Sequence, residues 1–566
     1  MAEMGPGPAA RDWVPGWTAL RGLSGADLPR EAAAGLSIAA VAIPVGLAYA
    51  ALAGVPPAIG LYASIFPMVA YAFFGPSRYL VVGPDTATCL LVGSILTTLG
   101  LHAIGERSAA AAGLALVAGV GFGIAAIGRL GFIASLLSRP ILVGYLVGVA
   151  LTLLVSQIPS FTGVDIHSHG LVRPIVEILR RSSEVHVLTL ALGLGLFVAL
   201  RTLHVVTPRL PGPAIVVAAA ILLSWIFDLR SRGLAVIGAI PSGLPLPQLP
   251  PLNARLVELG LPALGLLLVT FSSGILTARS FGEKLGVHND ANLELRGFAA
   301  ANVVAGLFQG FAVTGADSRT AVNLASGGRT PVAAISAALT IALVVTVLTA
   351  PLTLLPQAAL GAVLASAALG LIDLTALRRL WRLDRYEFAF AMVAMGGVIW
   401  VGVLQGVFLA IAATLAHLLQ LAARPRHTLL GWTDTGRGLV SLEHHPSARP
   451  PPGGVIFLFE SSLLFVNASY FGLSARQALD ATPDARWFIL DAMSIPYADS
   501  TALQTLIELR TALEARGVRL ILTGAHGRFR QAIERSGLAA SLGQANIFPD
   551  AHAALRVVAP DFAGRA

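Results

Sequence analysis

The chain has 566 residues, 55% of them hydrophobic and 12% charged, with a formal net charge of +8 and a mean hydropathy of +0.77. Soluble domains carry about a quarter charged residues, and single soluble cores stop growing at roughly 250–300 residues. One large water-soluble core, a string of soluble domains and a disordered chain are therefore all excluded, leaving a polytopic membrane protein with something attached.

The first residues, Met1 to Pro15, show no basic stretch followed by an apolar run. No cleavable signal is expected, and insertion begins at the first spanning helix. Runs able to form a span of about 20 residues, or most of one, lie at 31–53, 58–75, 84–100, 109–128, 137–157, 187–204 and 213–228. A second series lies at 262–281, 297–312, 317–327, 330–350, 356–372, 386–402 and 404–423. The run 317–327 covers only about half a bilayer at ~1.5 Å per residue.

Arginine carries nearly all the positive charge, Lys284 being the one lysine. With a cytoplasmic N-terminus, strict alternation puts Arg78, Arg129, Arg139, Arg201, Arg209, Arg279, Lys284 and Arg329 on the inside. The group Arg378, Arg379, Arg382 and Arg385 falls there too, as do Arg424 and Arg426, which is the positive-inside pattern. Nucleic-acid binding wants a basic stripe on one folded face and is not expected. Arg107, Arg230, Arg232 and Arg255 fall outside. So do Arg173, Arg180 and Arg181, but these are interleaved with Glu177 and Glu184, and 171–184 reads as a short surface helix. Pro241 to Pro251 reads as an extended external loop. Cys89, the only cysteine, excludes an intramolecular disulfide and reads as buried packing.

Past residue 427 the pattern changes. Residues 425–453, ending in Pro450-Pro451-Pro452-Gly453, read as a linker. Strands at Val455–Phe459, Trp487–Leu490 and Val518–Leu522 then alternate with helices at about 469–481, 500–516 and 527–536. That alternation predicts a small soluble α/β domain over 454–566. The expected layout is a cytoplasmic segment 1–30, a transport domain 31–424 with repeats at about 31–228 and 262–424, the linker, and this domain.

An internal repeat locates the site. Val81-Val-Gly-Pro-Asp-Thr-Ala-Thr88 and Val313-Thr-Gly-Ala-Asp-Ser-Arg-Thr320 share V-x-G-x-D-[S/T]-x-T at an offset of 313 − 81 = 232. The same offset maps the first apolar run onto the eighth. Seven segments per copy is odd, so the second copy is inverted in the membrane, a signature of secondary transporters with substrate at the midplane. Gly83-Pro84 and Gly315 interrupt helix, so each motif is an extended segment turning into a helix, with Asp85 or Thr86 and Asp317 or Ser318 at the N-caps. Two helix N-termini facing each other form an anion site, and Arg319 adds a full positive charge. Arg319 is alternatively a structural partner of Asp317 or Asp85. The two carboxylates either cap helices or carry a coupling H⁺ or Na⁺.

Pro56-Pro-Ala-Ile-Gly-Leu-Tyr-Ala-Ser64 with Gly75-Pro-Ser-Arg78 closely resembles the signature of the SulP anion-permease family. Asp290-Ala-Asn-Leu-Glu-Leu295, Gly306-Leu-Phe-Gln-Gly-Phe311, Ser318-Arg-Thr-Ala-Val-Asn323 and Gly328-Arg-Thr-Pro331 resemble its second half, and Asp499-Ser-Thr-Ala502 resembles its STAS domain. The resemblance spans about 27–560. It implies a polytopic α-helical membrane protein of 14 transmembrane segments in a 7+7 inverted repeat (a uracil-permease-like fold), plus a soluble α/β STAS domain. It further implies a homodimer and an elevator-like movement of a core group of helices against a gate group.

Carried over by motif, the substrate residues are Tyr49, Asp85, Thr86, Ser318 and Arg319. Many bacterial members place a Glu where this chain has Ser273, so coupling is expected to have moved to Asp85 and Asp317; the family commonly has a Gln where this chain has Val45, so one polar contact is expected to be missing. Thr501, or Ser500, matches the phosphorylated position of free STAS regulators, and an ordinary first-turn residue is the alternative. The STAS domain is also the expected contact for a cytoplasmic protein partner.

The His167/His169 and His444/His445 pairs lack the further ligands of a zinc site, and no P-loop is present. No enzyme activity, metal or organic cofactor is expected. The expected function is secondary-active transport of a small anion (sulfate, bicarbonate, chloride or dicarboxylate) across the inner (plasma) membrane, both termini cytoplasmic. A proton-coupled nucleobase permease, which shares the inverted-repeat architecture, and a STAS-regulated anion channel are the alternatives.

Overall fold

The computed structural model describes residues 14–17, 27–135, 139–166, 168, 170–207, 211–251, 259–432 and 438–560. His167, His169 and Arg255, and most of the expected N-terminal segment, lie outside them. The chain divides into a unit ending at Thr414 and a second from Leu415 onward.

In the first unit a helix stands at each expected segment. They are α1 (Leu28–Ala53), α2 (Pro57–Phe74), α3 (Thr86–Thr98), α4 (Ile104–Ile127), α5 (Arg139–Ser156), α6 (Val187–Val206) and α7 (Gly212–Phe227). The second series is α8 (Gly260–Leu285), α9 (Ala291–Leu307), α10 (Asp317–Ala325), α11 (Pro331–Val347), α12 (Gln357–Leu371), α13 (Arg385–Gly396) and α14 (Val403–Ala423). The division between units falls inside α14. Helix α1 starts at Leu28, inside the segment expected to precede the membrane. Pro at the first turns of α1, α2, α7 and α11 sits where its missing N–H has no intrahelical partner to lose. At 13 and 9 residues, α3 and α10 are too short to cross a ~30 Å hydrocarbon layer at ~1.5 Å per residue.

The helices fall into two packed groups that meet at α1, on which α7 and α12 also lie. In one, α9 lies on α4 and α2, α11 on α1 and α2, α8 on α4 and α3, and α10 on α1. In the other, α13 lies on α5, and α12 lies on α6 and α5. The two short helices both belong to the first group. The expected surface helix is present at Arg173–Arg180, with Arg181 paired to Glu184 at 2.5 Å and Glu177 at 3.4 Å. Arg107, an exception to the charge rule, donates to the carbonyls of Gly54 (2.7 Å) and Ala53 (3.4 Å) at the end of α1. A cation there satisfies terminal carbonyls and suits the negative end of the helix dipole.

The second unit carries a six-stranded sheet in the order β4-β3-β5-β6-β7-β8 (numbered after the two short strands of the first unit). Its strands are β3 (His427–Trp432), β4 (Leu439–Ser441), β5 (Gly454–Phe459), β6 (Trp487–Asp491), β7 (Arg519–Thr523) and β8 (Ile547–Phe548). β5 to β8 are parallel, and β3 and β4 add an antiparallel edge. The stretch 425–453, expected to be a linker, therefore supplies two strands of the sheet. The Pro450–Gly453 run is only the turn before β5, and composition could not show the pairing of His427–Leu429 with Phe457–Phe459.

Alternation along β5 and β6 sends Val455, Phe457, Phe459, Phe488 and Leu490 to one buried face and Ile456, Trp487 and Ile489 to the other, as a sheet covered on both sides requires. The helices are α15 (Ala468–Asp480), α16 (Ser500–Ala515), α17 (Gly527–Arg535), α18 (Leu538–Leu542) and α19 (Ala551–Val558).

Candidate functional site

The two repeated motifs meet. β1 (Val82–Gly83) and β2 (Thr314–Gly315) form an antiparallel clasp in which Val82 pairs with Gly315 and Gly83 with Thr314. Adding 232 to 82 and 83 gives 314 and 315, so exchanging the copies maps each pair onto the other. A local two-fold axis passes through the clasp, as two inverted copies of one segment require. Each strand then turns into a short helix, β1 into α3 and β2 into α10, and the first-turn N–H groups of both open next to the clasp.

The side chains around the clasp are not symmetric. Asp85 is the N-cap of α3, its carboxylate accepting from Ala87 N at 3.2 Å. Thr86 is buried, and its hydroxyl lies 2.7 Å from the Tyr49 hydroxyl on α1. In the second copy the N-cap position belongs to Ala316, and Asp317 is the first helical residue. Asp317 and Ser318 are exposed, whereas Arg319 is 0% exposed.

The Arg319 guanidinium crosses to the first copy and donates from Nη2 to the Pro84 carbonyl at 3.1 Å, while Nε and Nη1 have no partner among the described residues. Its repeat mate is Ala87, so the charge exists once. Gly83 makes room for it, since a Cβ there would run into Arg319 Nη1. Ser273, on α8, is half-buried and carries no carboxylate. The structure thus gathers Tyr49, Thr86, Asp85 and Arg319, and leaves Asp317 and Ser318 on the open side of α10.

Several residues to which the sequence alone assigns no role hold this arrangement. Thr320 accepts from Val81 N at 3.1 Å, and Asn323 donates to the Tyr79 carbonyl at 2.9 Å. Both tie α10 to the strand of the other copy. Asn302, buried in α9, accepts from Val313 N at 2.9 Å and donates to the Val313 carbonyl at 3.0 Å, so one amide acts as a strand neighbour for β2. Glu294 is 0% exposed. It accepts from Tyr71 Oη at 2.5 Å, from Ser77 Oγ, and from Asn289 Nδ2 at 3.4 Å. Ser77 thereby ties the Gly75–Tyr79 loop, which leads into β1, to the start of α9, and Tyr71 ties α2 to it. A polar residue inside an apolar run is the available signal for Asn302, whereas Glu294 stands in the polar stretch 288–296 and carries no such signal; the partners of both are not legible without the fold.

In the second unit Asp499 caps α16, accepting from Ala502 N at 2.9 Å and Phe465 N at 2.6 Å. Ser500 and Thr501 are exposed on the first turn. Beside them is an open depression of about 500 Å³ lined by Tyr497, Leu503, Arg528 and Arg535 among others. At the end of β6, burial raises the Asp491 carboxyl above its ordinary range, an effect partly offset by the Met493 N–H and the Thr523 hydroxyl. Among the described residues no group of three or more His, Cys, Asp or Glu side chains is placed to hold a metal.

Comparison with known proteins identifies these parts. The model of the sulfate permease family matches residues 28–394, and that of the STAS domain matches 442–554. A probable sulfate transporter of Mycobacterium tuberculosis is 37% identical over 545 residues, covering 96% of this chain and 97% of that protein. Sulfate transporter 3.1 of Arabidopsis thaliana is 28% identical, covering 89% and 80%. Among solved structures, the murine solute carrier 26 family member A9 anion transporter in its inward-facing state superposes with a TM-score of 0.89 at 23% identity, covering 100% and 97%. The transmembrane domain of a cyanobacterial bicarbonate transporter gives 0.59 at 20% identity, covering 69% and 98%.

Proposed function

The chain belongs to the sulfate permease family, a family of membrane transporters rather than enzymes, and we propose that it is a secondary-active oxyanion transporter with sulfate as its main substrate. The anion is held between the N-termini of α3 and α10 beside Arg319. One observation carries this reading: a fully buried guanidinium with two nitrogens unpartnered among the described residues, beside the clasp from which two helix N-termini start. A buried charge is costly unless it is paired, and a planar fork of N–H donors matches an oxyanion. The sulfate transporters among its relatives support the substrate.

Transport proceeds by an elevator-like shift of the group carrying α3 and α10 against the group carrying α5, α12 and α13. Both short helices pack in one group, so the anion travels with it. Asp85 lies beside the anion and repels a dianion when ionised. Taking up a proton there removes the repulsion, which makes H⁺ the coupling ion, with Asp317 at the open end of the gap. Both termini lie in the cytoplasm, the protein is a homodimer in the plasma membrane, and the STAS domain is its regulatory face. A phosphate on Ser500 or Thr501 would add about −1.5 to −2 charge next to Arg528 and Arg535. The sulfate transporters among its relatives count against the nucleobase reading.

The test is uptake of labelled sulfate, bicarbonate, chloride and dicarboxylates into proteoliposomes, with and without imposed pH and Na⁺ gradients. Saturable sulfate uptake stimulated by an inward proton gradient is expected. Saturable uracil uptake with no anion uptake would overturn the reading.

A further inference from the structure

Helix α5 belongs to the group that does not contain the two motifs, yet it lies against α3. Gly144 and Gly148 turn one face of α5 onto α13, where a Cβ at 144 would meet the Ala391 backbone. A different face carries Leu142, Tyr145 and Val149, all buried. Tyr145 is 1% exposed, and its hydroxyl has no hydrogen-bond partner among the described residues. Buried serine and threonine hydroxyls on helices can rotate onto a carbonyl one turn back. A tyrosine hydroxyl, at the far end of its ring, cannot reach its own helix and needs a partner from elsewhere. Helix α3, which α5 touches, is the helix that Asp85 caps, and Tyr145 and Asp85 interact electrostatically. Among the buried unpartnered groups around the clasp and on α5, Arg319 Nε and Nη1 can only donate and the Tyr145 hydroxyl is able to donate, while Thr88 Oγ1 on α3 and Asn323 Oδ1 on α10 are unpartnered as well.

We propose that Tyr145 is the second group's ligand for the transported anion, donating its hydroxyl hydrogen to an anion oxygen while Arg319 Nε and Nη1 hold the others. This rests on the anion occupying the gap beside Arg319. Two guanidinium nitrogens that can only donate, with a hydroxyl free to donate beside them, suit a ligand rich in acceptors, as a sulfate ion is. Because α5 stays behind when the other group moves, the Tyr145 contact exists at one end of the movement and is broken at the other. Arg319 travels with the anion, and Tyr145 marks where it is loaded or released.

The test compares Tyr145→Phe with Arg319→Ala and the unchanged protein in proteoliposomes, together with the shift in Tm that sulfate produces in the purified protein. Tyr145→Phe keeps the ring and removes only the hydroxyl. It is expected to raise the sulfate KM about tenfold, the size expected for one hydrogen bond to a charged group, and to cut the sulfate-induced Tm shift. The Tm without anion should stay the same or rise, since a buried orphan hydroxyl has been removed. An unchanged KM and an unchanged sulfate-induced shift in Tyr145→Phe, with both lost in Arg319→Ala, would overturn the role of Tyr145 and leave the site in place. Sulfate binding retained in Arg319→Ala would overturn the site, and this inference with it.

Discussion

The two copies of V-x-G-x-D-[S/T]-x-T share a backbone course and differ in almost every side-chain task. Copy one caps its helix with Asp85 and buries Thr86 against Tyr49. Copy two leaves Asp317 and Ser318 exposed and sends Arg319 across to the carbonyl of Pro84. Thr320 holds the backbone of the first copy, while its mate Thr88 is buried with a hydroxyl that bonds to none of the described residues. Symmetry makes the gap, since two inverted copies bring two helix N-termini to one place. Asymmetry makes the gap chemically useful, because a second arginine at position 87 would crowd and repel the first in a site of low dielectric.

The comparison breaks first at Arg319. Arg319→Ala should lower sulfate uptake at least about a hundredfold, whereas Arg329→Ala, at an exposed side chain, should stay within about twofold. Lysine at 319 should not rescue, because a point charge lacks the fork. Equal losses from the two alanine variants would mean that the charge of the second copy is not the ligand.

Next come the paired glycines. Gly83→Ala puts a methyl into Arg319 Nη1, and Gly315→Ala meets the methyls of Leu80 at 3.1 and 3.3 Å and the Gly274 Cα at 3.4 Å. Uptake should fall about tenfold or more in the first and about twofold in the second. A reversal would place the tight approach in the wrong copy.

The carboxylates sharpen the contrast further. Asn at 85 can still cap α3 but cannot take a proton. Asp85→Asn should therefore flatten the pH dependence of uptake, which otherwise rises as external pH falls, and Asp317→Asn should do so less. Gradient-driven accumulation that persists in the double variant would remove both from coupling.

The smallest effect is on stability. Thr320→Val strands the buried Val81 N–H and should cost about 1–3 kcal/mol, while Thr88→Val removes a partnerless hydroxyl and should be neutral or stabilising. Thermal unfolding of the purified variants decides between these outcomes.

Arg319 is legible from the chain alone, because a full charge inside an apolar run is expensive and its place at a matched position of a repeat marks a site. The 232-residue offset implies the inversion, and the clasp register agrees with it to the residue. Gly83 reads only as a helix interruption, because its second role depends on a guanidinium far along the chain, at residue 319. Tyr145 reads from the sequence as one more aromatic in an apolar run. Its unpartnered hydroxyl emerges only when α5 is laid against α3. Residues 427–432 and 439–441 do not read as strands because they pair at the edge of the sheet, where the signal lies in the partner strand.

Composition and periodicity determined the solvent of each part, the number of crossings and the repeat, because these depend on spacing along one chain and on the cost of placing charge in hydrocarbon. Which member of each symmetric pair is buried, capped or free was decided by the tertiary structure. Two copies with the same motif receive different neighbours once one is inverted against the other. Reach across the clasp, a matter of a few ångströms, settled that Arg319 would face the gap and Asp317 the open side.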